Sequence, residues 1–161
     1  MKSIPLTQGM TAIVDDDMFE RLNRYKWYAQ KRKNTFYAVR KTLKIDGKRR
    51  TILMHREILG LKFGDKRQGD HRNHNGLDNR RDSLRICTRS QNQQNGNPRV
   101  NCSSVFKGIY WHKAVHKWQA KIQVDGRCIY LGLFASEIEA AKAYDEAAKI
   151  YFGEFACINT S

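Results

Sequence analysis

The sequence predicts an α+β fold in two domains, and three observations carry that expectation. Hydrophobic residues make up 40% and aromatic residues 11% of the 161 positions, enough apolar surface for cores and too much for a disordered chain. Short aromatic and β-branched runs recur between turn signals, with few helical stretches among them, as in antiparallel sheets backed by helices. The charge is uneven: residues 1–100 hold 23 Lys+Arg against 10 Asp+Glu, a net of +13, whereas residues 101–161 hold 7 against 6, a net of +1. The change falls beside QNQQNGNPRVNCSS, residues 91–104, a polar stretch with Gly96 and Pro98 and the composition of a linker. These signals divide the chain into a first domain, 1–95, a linker, 96–103, and a second domain, 104–159.

Within the first domain, residues 1–60 read as a β-rich platform. TAIVDD is a strand, DDDMFERLNRYK a short helix with an acidic start, and KWYAQ, TFYAVRKTL and KRRTILM are strands, the last two joined through Asp46-Gly47. Trp27, Tyr28, Phe36 and Tyr37 are expected in the core. Lys31, Arg32, Lys33, Arg40, Lys41, Lys44, Lys48, Arg49 and Arg50 decorate the same strands and repel one another unless phosphate neutralises them. The net charge of +14 and pI near 9.9 favour a polyanionic partner, with duplex DNA foremost. A membrane is not expected as partner, because there is no apolar run of about 18 residues and no basic amphipathic helix. MKSIPLTQGM lacks the apolar segment of a signal peptide, and Cys87, Cys102, Cys128 and Cys157 form no C-x-x-C pair; a cytoplasmic protein with reduced cysteines is expected.

Residues 66–95 contain GDHRNHNGLDNRRDSLRICTRSQNQQN, polar enough to pass for a linker. Turn formers sit at Asn75-Gly76 and Asp78-Asn79, DSLRICT is a short strand, and Thr88 to Gln91 is a capping box that opens a helix. The unit is strand, loop, strand, helix. Asp70 offers an anionic oxygen and Asn92 a neutral one, two hard ligands suited to a divalent ion that keeps waters and takes up phosphate oxygens. His71 titrates near neutrality and can take a proton from water. Zinc is disfavoured, since neither His71 with His74 nor His112 with His116 gains a third ligand.

The stretch resembles the ββα-metal motif of HNH endonucleases, in the subgroup of phage and intron homing enzymes, whose pattern is close to D-H-x-N-x-N-x-L-D-N-R-x-x-N-L-R followed by a helix bearing a metal-binding Asn or His. The resemblance implies phosphodiester hydrolysis with one divalent metal ion, Mg²⁺ or alternatively Mn²⁺. It puts Asp70 and Asn92 on the metal, His71 on the general base and Asn79 on the loop asparagine. Ser83 stands where the family has the middle Asn of the catalytic set, and a hydroxyl makes fewer hydrogen bonds than an amide. His55, in TILMHREILGL, matches a segment that commonly precedes the motif. Arg80 and Arg81 are expected on phosphate.

From Val105 the chain reads VFKGIYWH, KWQAKIQV and CIYLGLF, three strands, with Asp125-Gly126 as the hairpin turn between the second and third. Trp118, Ala120, Ile122 and Val124 alternate with Gln119, Lys121 and Gln123, giving one apolar and one polar face. Ser136 caps a helix, EIEAAKAYDEAAKIYFG, with Glu139 completing the box and Gly153 at its end. Ile138, Ala141, Tyr144, Ala148 and Tyr151 form its expected packing stripe. Residues 104–159 resemble the DNA-binding domain of ethylene-response factors, the Apetala-two type, on the run FKGIYW, KWQAKI, YLGLF and EIEAAKAYDEAAKIYFGEFACIN. The resemblance implies a three-stranded sheet packed on one helix and laid in a major groove, with Lys107, Tyr110, His112, Lys121, Gln123, Cys128 and Tyr130 towards DNA.

Together these readings predict an endonuclease acting on double-stranded DNA, encoded by a phage or mobile element, a monomer or weak dimer with no obligate protein partner. The rival expectation is a non-catalytic DNA-binding regulator with a degenerate HNH unit, for which Ser83 speaks.

Overall fold

A computed structural model describes residues 1–32, 35–43, 47, 49–98 and 102–160. Lys33, Lys44, Asp46 and Lys48, and the linker positions 99–101, lie outside the described residues. The chain forms mixed α and β structure, with small antiparallel sheets and four α-helices among the described residues, in two compact units, Met1–Arg89 and Ser90–Ser161.

The first unit starts with a hairpin, β1 (Lys2–Pro5) and β2 (Thr11–Val14), the first of which the sequence signals did not mark. Helix α1 (Asp16–Asn23) follows with Asp16 and Asp17 in its first turn, where acidic groups meet the positive end of the helix dipole. β3 (Tyr28–Arg32), β4 (Thr35–Lys41) and β5 (Thr51–Leu53) make a sheet in that order. The expected third strand, KRRTILM, is thus shorter than read: Met54 begins α2 (Met54–Ile58), which puts its side chain in the core. β6 (Gln68–His71) and β7 (Leu84–Cys87) pair antiparallel, and a 3-10 turn over Arg81–Ser83 leads into β7.

Ile4, Ala12, Val14, Leu22, Trp27, Ala38 and Met54 form the core of this unit. Trp27 is inside as expected and donates its indole N–H to the Leu22 carbonyl at 2.8 Å, so its one polar atom is satisfied. Tyr28, Phe36 and Tyr37 are half-buried at the rim. The loop after β6 is stitched to β2, because Ile13 N–H donates to Leu77 O at 2.9 Å and Asn79 N–H to Ile13 O at 2.8 Å.

The second unit holds α3 (Arg89–Asn95) from its second residue onward, then β8 (Ile109–His112), β9 (Lys117–Val124), β10 (Arg127–Phe134) and α4 (Glu137–Phe152). The sheet order is β10-β9-β8, all antiparallel. Asp125 and Gly126 both take positive φ, 47° and 80°, the backbone that a two-residue hairpin of matching twist requires. Helix α4 packs on the sheet through Ala140, Ala141, Tyr144, Ala147, Ala148 and Phe152. Of the stripe read from the sequence, Ala141, Tyr144 and Ala148 are buried as expected, whereas Ile138 and Tyr151 face solvent. Small alanines let the helix approach so closely that residue 108 has no room for a Cβ beneath the Tyr144 ring, and it is glycine. The Asp145 carboxylate, buried on α4, accepts from Asn159 N–H, Thr160 N–H and the Thr160 hydroxyl, each at 2.8 Å, and ties down the C-terminal segment.

Candidate active site

Asp70 and His71 close strand β6, and both are buried, at 6% and 5% exposure. The pairing of β6 with β7 sets Asp70 directly opposite Arg85 and His71 opposite Leu84. Arg85 donates Nε–H to Asp70 Oδ2 at 2.9 Å, and its NH2 lies 2.9 Å from the same oxygen, an ion pair inside the protein. The partner guanidinium offsets the cost of burying a carboxylate and fixes its orientation.

His71 sits in a cluster of rings. The His55 imidazole, from α2, meets it edge to face at 4.8 Å between centroids, and Tyr37, from β4, lies 5.6 Å from both. Such tilted contacts suit aromatic quadrupoles and hold the rings in place. Glycine at 69 makes the approach possible, since a Cβ there would stand 2.7 Å from His55 Cδ2 and 2.9 Å from Leu59 Cδ1. Burial pushes the His71 pKa below its ordinary value, while the neighbouring Asn79 side chain and the carboxylates of Asp70 and Asp78 pull it partly back. Burial, with His71 alongside, pushes His55 down to about 3. Both imidazoles are therefore neutral near pH 7, the form in which an imidazole accepts a proton.

The loop from Arg72 to Ser83 is organised around Asp78. Its carboxylate accepts from Asn73 Nδ2 at 2.8 Å, from the Ser83 hydroxyl at 2.8 Å, and from Arg80 through Nε at 2.8 Å and NH2 at 2.6 Å. These donors, Arg80 first, hold its carboxyl far below the usual carboxylate range. Asn73 and Asn75 each accept from the backbone two residues on, at 3.1 Å, as Asx turns. Asn79, almost fully buried, donates Nδ2–H to Leu77 O at 3.1 Å. Arg81 reaches Asp17 on α1 with both guanidinium nitrogens, at 3.0 and 2.5 Å, and its N–H donates to Asp15 at 2.9 Å.

In the second unit, strand register decides which side chains share a face. Tyr110 lies opposite Gln119, His112 opposite Lys117, Tyr130 opposite Lys121 and Cys128 opposite Gln123, so all eight project from one side. Ile109, Ala120 and Ile122 project from the other and are buried. Tyr110 and Tyr130 stand 43% and 56% exposed, and the Lys121 ammonium lies over the Tyr110 ring at 5.1 Å. The bulge between Tyr130 and Gly132 adds an extra residue to β10, with Gly132 at φ 136°.

No family model matches the chain, and no solved structure matches it. A relative does. An uncharacterised HNH endonuclease of Acanthamoeba polyphaga mimivirus is 30% identical over 156 residues, which is 94% of this chain and 76% of that protein. The chain belongs to the HNH endonuclease family. A shorter part of this family member is similar to plant proteins: APETALA2-like protein 2 of Oryza sativa subsp. indica is 48% identical over 59 residues, 35% of the chain. An AP2-like ethylene-responsive transcription factor of Arabidopsis thaliana is 44% identical over 59 residues. The chain spans only 13% and 12% of the length of these two plant proteins.

For this HNH endonuclease family member, the structure brings Asp70, His71 and Asn79 together. Asn92 lies on α3, in the second unit. Ser83 bonds to Asp78, and Arg80 and Arg81 bond to Asp78 and to Asp15 and Asp17. Lys107 stands apart from the other six residues read as facing DNA: its ammonium donates to Gln93 O, Gln94 O and Gly96 O at 3.1, 2.5 and 2.6 Å, closing the end of α3, and burial lowers its pKa. Sequence reasoning missed Arg85 as the partner of Asp70, Asp78 as the hub of the loop, and Tyr37 as a neighbour of His71. Among the described residues no three His, Cys, Asp or Glu side chains are grouped to hold a metal, and no helix is long and apolar enough to cross a membrane.

Proposed function

We propose that this protein is a divalent-metal-dependent endonuclease of double-stranded DNA, with His71 as general base, and that its C-terminal sheet docks it on the duplex. The observation that carries the reading is the buried His71, beside Asp70 and Asn79 and clasped by the rings of His55 and Tyr37. A base of this kind accepts a proton from water without first losing one of its own. As the proton arrives, the Asp70 and Asp78 carboxylates and the Asn79 amide stabilise the imidazolium, because all three favour the charged ring.

The donor chemistry at Asp70 fits a magnesium-like ion. It offers a hard carboxylate oxygen held in orientation by Arg85. When bound, such an ion supplies Lewis-acid stabilisation of the charge that develops on the phosphate and leaving oxygen. In this reading Asn79 orients His71, and Ser83 braces the loop through Asp78. In the second unit, Tyr110, His112, Lys121, Gln123 and Tyr130 would meet bases and phosphates, and similarity to plant AP2-like factors supports DNA as the partner. Lys107 would act indirectly, by closing α3.

Nicking of a supercoiled plasmid with and without Mg²⁺, by the wild type and His71→Ala, tests the reading. Metal-dependent nicking lost in the variant is the expected result. A gel shift with no nicking under Mg²⁺ or Mn²⁺ favours the non-catalytic regulator, for which the Arg85 clamp on Asp70 and serine at position 83 would be the reasons.

A further inference from the structure

The loop between α2 and β6 holds one large apolar ring out into solvent. Phe63 is 77% exposed, yet the loop under it is tied down. The Arg56 guanidinium donates to Arg67 O at 3.0 Å, to Lys62 O at 3.1 Å and to Asp65 O at 3.4 Å, three carbonyls on both sides of Phe63. Leu61 is buried as an anchor, and Asp65 accepts from the N–H of Arg67 at 2.9 Å and pairs with its guanidinium at 2.8 Å. Gly60 and Gly64 turn the chain at positive φ, 68° and 87°. A loop with these bonds cannot simply fold its ring inward.

A second element backs the ring. The Arg50 guanidinium carbon lies 4.1 Å from the Phe63 centroid. Arg50 is itself held by Thr42, whose Oγ1 accepts from Arg50 N–H at 2.9 Å and whose own N–H donates to Arg50 O at 2.9 Å. One side of the ring thus carries a cation, and Lys62 and Lys66 are exposed nearby in the same loop. Tyr25 and Tyr110 also carry a cation on the ring, but they are less exposed, at 44% and 43%. An apolar ring rimmed by cations suits a nucleic-acid duplex, whose base steps are apolar and whose backbone is anionic; the central contacts of protein interfaces are depleted in lysine.

We propose that Phe63, backed by Arg50, is a wedge that enters a base step of duplex DNA and unwinds it locally, with Lys62 and Lys66 on the flanking phosphates. The proposal rests on the reading of the chain as a DNA-binding protein and adds distortion of the DNA to it. Wedge insertion changes helical twist, which a closed-circular plasmid records as a change in linking number whatever the target sequence.

The test relaxes a closed plasmid with a metal-independent topoisomerase in EDTA, where cutting is suppressed, at increasing concentrations of the full chain, with gel shifts run in parallel. The wild type should shift the topoisomer distribution. Phe63→Ala should reduce that shift about threefold or more while affinity stays within about twofold, because the cations that supply most of the binding remain. Phe63→Trp, which keeps a ring at the tip, should retain the shift. Binding by the wild type without a linking-number change, or an equal change with Phe63→Ala, overturns the wedge and leaves the DNA-binding reading standing. No binding at all overturns both. Concentration-dependent self-association that is lost in Phe63→Ala, with the topoisomers unaffected, would assign the ring to a second copy of the chain and overturn the wedge.

Discussion

In residues 1–89 the side chains of the candidate site lie inside the fold, where Asp70, His71 and His55 meet Arg85, Tyr37 and Asn79, whereas in residues 90–161 Tyr110, Lys121 and Tyr130 stand out from an open sheet face. The difference follows from what each region would do. A general base needs a defined proton affinity, and burial is the main lever on it. A groove-reading face needs area and charge reachable by a large ligand, so its residues stay solvated until the partner arrives. The cations beside the two candidate sites differ in the same way. Arg80, Arg81 and Arg85 bond to carboxylates, while Lys121 lies across a tyrosine ring with its charge at the surface.

The strongest way to break the comparison is His71→Ala. Nicking should fall by about 10³-fold, with affinity for duplex DNA within about twofold, since the sheet face is untouched. A loss of both together would mean that the two regions do not divide the work. Next in size is Asp78→Ala, which leaves Arg80, Asn73 and Ser83 without their acceptor. It should destabilise the first unit by roughly 3 kcal/mol, seen as faster amide exchange across β6 and β7 while the second unit keeps its protection.

The buried His55 predicts a pH effect confined to the first unit. Its pKa is lowered in the folded state to about 3, so the unfolded chain binds the extra proton between that value and the ordinary histidine range. Stability from this group is fully present above about pH 6.5 and is lost as pH falls towards 3, by roughly 5 kcal/mol in all. Urea melts of the wild type and His55→Phe between pH 7 and 4 should diverge in slope; parallel curves would show that the ring cluster tolerates a charge.

The sheet face is sharpened by a smaller change. Tyr110→Ala combined with Lys121→Ala should weaken DNA binding by about tenfold and lower the salt slope by about one, measured by titration at several salt concentrations, with the nicking rate at saturating DNA unchanged. The smallest effect belongs to Ser83→Ala. It removes one hydrogen bond to Asp78 and should cost about 1 kcal/mol of stability. A loss of nicking well beyond what that stability change explains would give the hydroxyl a direct part in the chemistry.

Much of the secondary structure was legible where the signal is local. The Asp125-Gly126 turn, the cap at Ser136, whose oxygen accepts from Ile138 N–H at 3.2 Å, and the strand after the Asp78-Asn79 loop depend on residues within a few positions of one another. The start of α2 was not legible, because Thr51 to Leu53 and Met54 form one apolar run and only packing of Met54 into the core separates strand from helix. The stripe on α4 was misread at its ends for a related reason: two large residues at helical spacing looked buried, but alanines at 140 and 147 permit the closer approach.

At the candidate site the sequence by itself determined which chemistry is present: an Asp-His pair at a strand end, asparagines that fold a loop, and an excess of cations. Tertiary structure alone decided which of those groups are neutral, paired or exposed. The Arg85 clamp on Asp70 depends on a strand register across the connection from Arg72 to Ser83, and the contact between His55 and His71 depends on α2 packing against β6. Solvation and charge pairing act through space over a few ångströms, and neither distance is encoded in the spacing of residues along the chain.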